Sequence, residues 1–504
     1  MNQKKAGIIL SYTSEVIKIL TSLLFTPIML RLLGQSEYGL YQLVYSVVSY
    51  LGILSLGFTA SYIRYYSGLK KEEDTEGIHR LNGMFLTIFL VIAAIALLCG
   101  TIMTGNIRAI LGERLTEAEY TTARVLMILM VINLSLTFPN SVFNCITSAH
   151  EQFFFQRLLT VLQNLLNPFL SFPLLLMGYG SVGLVLVTTL LTVSKLLVNI
   201  WFVFRRLHER FLFGQFNFRL LRDIWGFTFF IFLNQIIDQI NWSVDRFLLG
   251  RIIGTGAVAV YGLGGQINTM YVQLSSSISS VFVPKVNRIV SESNDNTQLT
   301  ALLTRVGRVQ FLLLGLVVSG FVFFGSPFMR FWGGAGYEDS YPVALWLIIP
   351  VTVPLIQNIG IEIQRAKNMH KTRSIVYFCV AIANIFISIP LIRAYGPVGA
   401  AVGTAISLLA GNVIFMNWYY QNRIGLDMFF FWRSIGTVCK GLLLPVALGA
   451  LMMRFVRIDS IPALIACALV YAAVYGASMW MLGMNTYEKD QIRKTLRRGN
   501  DLHR

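Results

Sequence analysis

Residues 30–43, LRLLGQSEYGLYQL, are answered by residues 249–263, LGRIIGTGAVAVYGL: Arg31, Gly34, Tyr41 and Leu43 return as Arg251, Gly254, Tyr261 and Leu263, each 220 positions later. The echo continues downstream. GYGSVGLVL at 178–186 returns as AYGPVGAAV at 394–402, a shift of 216, and Asn167 and Pro173 return as Asn384 and Pro390 at a shift of 217. The small change of shift places a short deletion between His370 and Asn384. Self-similarity at one long period marks an internal duplication.

The duplicated unit is a membrane bundle. Of the 504 residues, 55% are hydrophobic and 13% charged, half the charged fraction of about 25% usual in soluble domains. The charges gather between apolar runs of about 20 residues, the length that crosses a bilayer core. Fourteen segments qualify: 6–33, 38–63, 81–104, 125–148, 158–177, 182–204, 223–248, 256–282, 306–326, 342–364, 374–393, 398–420, 437–454 and 462–483. The first six correspond to the next six, and the last two have no counterpart.

Lys and Arg alternate in density from one connection to the next. The N-terminus, every second connection and the C-terminal tail hold 29 of the 41. The opposite connections hold nine (Arg31, Arg108, Arg114, Arg124, Arg251, Arg330, Arg393, Arg454 and Arg457), and Lys18, Lys195 and Arg246 stand inside spans. The positive-inside bias therefore puts both termini in the cytoplasm. An even number of spans per copy gives both copies the same orientation, with a pseudo-two-fold axis along the membrane normal. The expected fold is all-α and polytopic: a six-helix N-lobe (1–210), a six-helix C-lobe (211–425), then two further helices and a cytoplasmic tail (426–504).

A net charge of +17 would point a soluble protein towards nucleic acid, but here orientation in the membrane accounts for it, and no nucleic-acid partner is expected. Cys99, Cys145, Cys379, Cys439 and Cys467 are isolated and form no CxxC pair, so neither disulfide nor metal site is indicated. No P-loop, GxSxG or HExxH occurs, and the five histidines are dispersed. The sequence reads as no enzyme, with no catalytic residues and no cofactor. The first apolar run, interrupted by Glu15 and Lys18 and lacking a small-residue cleavage site, reads as a retained helix.

The stretch RLLGQSEYGLYQLVYSVVSYLGILSLGFTASYIRYYS at 31–67 resembles the second-helix region of polysaccharide, or O-antigen-type, lipid-linked oligosaccharide flippases. These belong to the multidrug/oligosaccharidyl-lipid/polysaccharide (MOP) exporter superfamily. The 6+6+2 arrangement and the YGxVG element opening span twelve are similar as well. The resemblance implies a bacterial cytoplasmic-membrane transporter that flips undecaprenyl-pyrophosphate-linked oligosaccharide from inner to outer leaflet for polysaccharide biosynthesis. Alternating access, membrane lipids as surroundings, and a glycan polymerase and glycosyltransferases as pathway partners follow from the same likeness.

Charges at bilayer depth locate the candidate site, because each costs about 2.5–3.5 kcal/mol on insertion scales unless it faces a cavity or a partner. Ser11, Glu15, Lys18 and Ser22 share one helical face, and Asn234, Asp238, Asn241 and Asp245 repeat the same spacing in span seven, followed by Arg246. The 220 shift sets Lys18 against Asp238. Two such stripes would face a central cavity. Lys18 and Arg246, with Lys195 and Arg64, are candidate contacts to a pyrophosphate. Glu15, Asn234, Asp238, Asn241 and Asp245 are candidates for cavity lining or for coupling to H⁺ or Na⁺. Gln357, Glu362 and Arg365 are candidates for an inner gate. The plainer readings are a Glu15–Lys18 pair within the helix, neutralisation of Arg246 by Asp245, and a solvated helix end at 362–365.

Residues 205–223, RRLHERFLFGQFNFRLLRD, read as an interfacial helix joining the lobes. Prolines 139, 168, 173, 350, 354 and 390 mark places where spans can bend. Two other functions remain open: a multidrug/cation antiporter of the same superfamily, which would need an acidic cavity, and a membrane glycan polymerase or ligase, which would need a large outside loop.

Overall fold

A computed structural model describes residues 3–55, 58–214, 232, 235–237, 239–241, 243–491 and 493, and every regular element among them is helical. The first helix, α1 (Gln3–Ser49), has 47 residues. That is about 70 Å at 1.5 Å per residue, against a bilayer core of about 30 Å. The helix is broken at Gly34, whose φ of 77° and ψ of 170° are not helical. A Cβ at that φ would crowd the backbone, so glycine suits the position. Segment 6–33 and the first half of segment 38–63 thus share one helix with a glycine joint, and the rest of 38–63 runs through a 3₁₀ stretch (Tyr50–Ser55) into the next helix.

The remaining helices are α2 (Phe58–Lys71), α3 (Thr75–Gly105), α4 (Ile107–Leu111), α5 (Glu117–Ala149), α6 (Phe153–Leu176), α7 (Gly180–Arg205), α8 (243–252), α9 (Thr255–Ser279), α10 (Val283–Glu292), α11 (Asn296–Gly333), α12 (Ser340–Ile356), α13 (Asn358–Ala366), α14 (His370–Leu408), α15 (Met428–Cys439), α16 (Leu443–Phe455) and α17 (Ile461–Ser478). The glycine joint recurs where the repeat places it. Gly254, the counterpart of Gly34, has φ 131°, and the counterparts Gly180 and Gly396 have φ 56° and 60°. Gly396 breaks α14 as Gly34 breaks α1.

Nine helical segments among the described residues are long and apolar enough to cross a membrane. Two of them, Thr13–Ser55 with 43 residues and Lys371–Ile424 with 54, are long enough to cross twice. The pair α12 and α13, bent by 46°, is together long and apolar enough for one further crossing. Pro350 and Pro354 lie in the turns before that bend, where each removes a backbone donor.

The chain forms two compact units, Met1–Gly262 with Ala381–Ala400, and Leu263–Val380 with Ala401–Arg504. In the first, Tyr62 of α2, Phe85 and Phe89 of α3, and Phe143 and Ile146 of α5 build the core. The expected interfacial helix at 205–223 is not formed over its described part, because residues 206–214 are irregular. Side-chain and backbone contacts hold this stretch out of helix. Glu209 is buried, accepts from Asn82 Nδ2 at 2.9 Å and meets His150 Nε2 at 2.7 Å, while the Leu212 N–H donates to His79 O at 3.0 Å. Gly83 permits that approach: a Cβ there would lie 2.0 Å from Leu212 O.

The second unit is tied together by Arg308 of α11, which is buried. Its Nε and one Nη2 hydrogen reach Glu488 at 2.6 and 2.9 Å, Nη1 donates to Ser434 O and Thr437 Oγ1 at 2.6 Å each, and Nη2 also donates to Gly483 O at 3.0 Å. The guanidinium has five N–H donors, and all are used. Arg308→Met leaves Glu488 buried without its partner and is expected to cost about 3–5 kcal/mol. A fall in the melting temperature of the detergent-purified variant, partly restored in R308M/E488L, is the measurement; an unchanged melting temperature would remove the clamp.

Candidate functional site

Inside the first unit, polar and small residues of α1 and its 3₁₀ continuation (Tyr50–Ser55) meet the helical residues from 235 through α8 along one antiparallel seam. Reading along it, Thr255 lies at Ser36, Gly250 at Leu43, Ser243 and Gln239 at Ser49, and Gln235 at Ser55. Gln239 Nε2 donates to Ser49 Oγ at 2.5 Å and to Ser243 Oγ at 2.7 Å. Close approach is set by glycine. A Cβ on Gly39 would lie 1.9 Å from Thr255 O, and one on Gly250 would lie 2.5 Å from Leu43 Cδ1. Small residues that let backbones meet are the usual means of packing helices in lipid.

A carboxylate closes one end of the seam. Glu119, in the first turn of α5, accepts at Oε1 from Ser36 Oγ at 2.6 Å and from Thr255 Oγ1 at 2.9 Å. Its Oε2 accepts from the Thr116 N–H at 2.8 Å and from Thr116 Oγ1 at 3.0 Å. Because Thr116 in turn caps the Glu119 N–H, the carboxylate also completes a capping box. One side chain therefore joins α1, α5 and the start of α9. Beside it, Glu37 Oε1 accepts from the Ser181 N–H and Oγ at 2.6 and 2.8 Å, which anchors the first turn of α7.

The charged pair of α8 is divided between two surroundings. Asp245 is buried and accepts at Oδ2 from the Tyr261 hydroxyl at 2.6 Å. The Arg246 guanidinium lies within electrostatic reach of the Tyr38 and Tyr41 hydroxyls. Its Nε is buried with no hydrogen-bond partner among the described residues. Tyr41 and Tyr261 are repeat counterparts, so the same duplicated tyrosine attends Arg246 in one copy and Asp245 in the other. Next to this pair, Val47, Tyr50, Met103, Val244 and Phe247 line an apolar hollow of about 410 Å³.

The other sequence candidates fall as follows. Glu15 is half-buried, with Oε2 buried and unpartnered, and Lys18 is exposed; no Glu15–Lys18 ion pair forms among the described residues. Lys195 Nζ donates to Gln163 Oε1 of α6 at 3.3 Å. Arg64 is exposed, and Asn241 is helical and half-buried. Asn234 and Asp238 lie outside the described residues. Gln357 is buried at the α12/α13 bend and donates to Asn417 Oδ1 at 3.0 Å, whereas Glu362 and Arg365 pair with each other at 2.8 Å, Arg365 being exposed. No hydrogen bond or ion pair joins Lys18, Lys195 and Arg246 to one another among the described residues. Sequence reasoning missed Glu119, Tyr38 and the roles of Tyr41 and Tyr261. The tyrosines were already visible as repeat markers, but nothing local to Glu119 announces its partners.

Long apolar helices joined at a close-packed polar seam define a helical membrane protein. The family described as polysaccharide biosynthesis protein matches residues 5–290, more than half of the chain, and the protein belongs to that family. It is similar to the membrane protein EpsK of Bacillus subtilis (strain 168), 21% identical over 96% of each chain. It is also similar to a putative O-antigen transporter of Shigella flexneri, 20% identical over 77% of this chain and 91% of that one. Among solved structures, the lipid II flippase MurJ in an inward closed conformation has the same fold, with a TM-score of 0.73 and 16% identity over 96% of this chain and 99% of that one.

The seam is testable by cross-linking. Ser36 Oγ and Thr255 Oγ1 stand 3.2 Å apart, so sulfurs in their places need approach by only about 1 Å to reach S–S bonding distance. The variant S36C/T255C, with the natural cysteines replaced by serine, is expected to form the bond under mild oxidant and to be arrested in transport until reduced. Failure to cross-link in membranes would mean that this end of the seam does not close.

Proposed function

We propose that the protein carries a lipid-linked oligosaccharide from the inner to the outer leaflet of a bacterial cytoplasmic membrane, with both termini in the cytoplasm. The carrier lipid is undecaprenyl pyrophosphate, and the product feeds a glycan polymerase outside. The reading is supported by the family, by a relative named as an O-antigen transporter, and by a structural neighbour that flips lipid II.

The observation that carries it is Arg246. A guanidinium at bilayer depth needs a compensating partner, and this one has a buried, unpaired Nε beside two tyrosine hydroxyls. A pyrophosphate supplies the missing acceptors, because the planar fork of arginine matches phosphate oxygens. Lys18, exposed on α1, and Lys195, held only by a neutral amide, add positive charge along the path without fixing geometry. The oligosaccharide passes with the head group while the polyprenyl chain stays in lipid. Alternating access then requires the seam closed at Glu119 to open. Glu15, Asp238 and Asp245 are the carboxylates on which coupling to H⁺ or Na⁺ would act.

The test is transfer of a fluorescent undecaprenyl-pyrophosphate-linked oligosaccharide across vesicles containing the purified protein. Arg246→Ala is expected to slow transfer by at least about tenfold, the cost of one charge-assisted contact, with Arg246→Lys in between and normal melting temperatures. Equal rates in wild type and R246A would remove Arg246 from the path, and no transfer above empty vesicles would sink the flippase reading itself.

A further inference from the structure

We infer that the end of the second unit where α11 meets the connection between α16 and α17 binds a phosphate ester anion at the outer membrane–water boundary; its placement on the outer side rests on the orientation proposed above. A hollow of about 210 Å³ opens there, with Ser326, Arg330, Arg457 and Asp459 as its polar wall and Pro327, Met453 and Val456 as its apolar wall.

The charge balance favours an anion. Two guanidiniums face one carboxylate, and that carboxylate neutralises little. Asp459 is 79% exposed and its single contact to Arg330 Nη2 is long, at 3.8 Å. Arg457 has no ion pair among the described residues. Arg454, exposed in the last turn of α16, adds a third positive charge to this stretch of chain.

Arg330 is also pre-oriented. Its Nη2 donates to Ile458 O at 2.8 Å, and its guanidinium lies 5.1 Å from the centre of the Phe331 ring. One donor is thus spent on holding the plane still, and the others remain for a forked contact to phosphate oxygens. The apolar wall beside the arginines selects an amphiphile over a bare ion. The volume equals about seven waters at ~30 Å³ each, enough for a phosphate and the first carbons of its ester.

A third observation is independent of the hollow. Positive residues on the outer side run against the bias that orients the chain. Two of the nine found there, Arg330 and Arg457, line this one hollow. Orientation does not account for them; recognition of a phosphate does.

Native mass spectrometry of the purified full-length protein provides the test, with phosphatidylglycerol against phosphatidylcholine as probes and inorganic phosphate as competitor. Wild type is expected to retain phosphatidylglycerol with about tenfold preference, and R330Q/R457Q to lose that preference at an unchanged melting temperature. Displacement by millimolar phosphate would assign recognition to the phosphate group alone, and resistance to it would assign recognition to the whole lipid head group. Equal retention of both lipids by wild type, or a preference that survives in R330Q/R457Q, overturns the site. Orientation is checked separately by labelling Asp459→Cys in intact cells with a membrane-impermeant maleimide. No labelling would overturn the outer placement and the proposed topology, while the detergent measurement stands apart from both.

Discussion

Hydrocarbon offers no hydrogen-bond partner to a peptide group, so the architecture is governed by where the chain is able to leave the helix. Four of those places are glycines that the repeat relates in pairs, Gly34 with Gly254 and Gly180 with Gly396, all at positive φ. At Gly34 the helix axis is interrupted without a loop, and the chain returns as residues 36–49 of the same element. That return brings Ser36, Gly39, Leu43 and Ser49 against Thr255, Gly250 and Ser243 in order. A side chain at Gly34 would strain the joint and disturb the register of everything beyond it.

The contacts along that register are of a kind that can be exchanged. Hydroxyl and amide hydrogen bonds are worth only about 0.5–1.5 kcal/mol each on balance, and water can replace either partner. A seam of interlocked leucines would lose buried area with every ångström of separation. Gly39 and Gly250 make the seam tight, while Ser36, Ser49, Gln239 and Thr255 supply it with groups that water satisfies equally well. Glu119 adds directionality. Two of its four accepted bonds, from Ser36 and Thr255, tie one end of the seam to α5, and the two from Thr116 fix the carboxylate on that helix, so separation at that end breaks charge-assisted bonds.

Much of this was legible in the sequence, for a physical reason. The matches between halves fell on residues whose backbone or packing admits no substitute, so Gly34, Gly180, Tyr41 and their counterparts survived where the apolar filler drifted. The apolar segments were legible because bilayer thickness fixes their length. What stayed hidden are the partners of individual polar groups. Glu119 meets residues 83 and 136 positions away, and Arg308 meets Glu488 across 180. Periodicity tells which residues share a face but not what the face meets. The irregular stretch at 206–214 was misread for the same reason, since its Arg and Phe pattern is helical in period while Asn82, His150 and His79 hold it open.

Counting donors separates buried Arg308 from half-buried Arg246. In the structure Arg308 has every N–H engaged by Glu488, two carbonyls and a threonine hydroxyl, so no capacity is left for a ligand. Arg246 keeps a buried Nε with no acceptor among the described residues. A buried donor left unsatisfied costs about 1–3 kcal/mol, more when charged, so an acceptor reaching that nitrogen would gain what Arg308 already has from Glu488. Arg308 is therefore a structural clamp, whereas Arg246 retains donor capacity among the described residues.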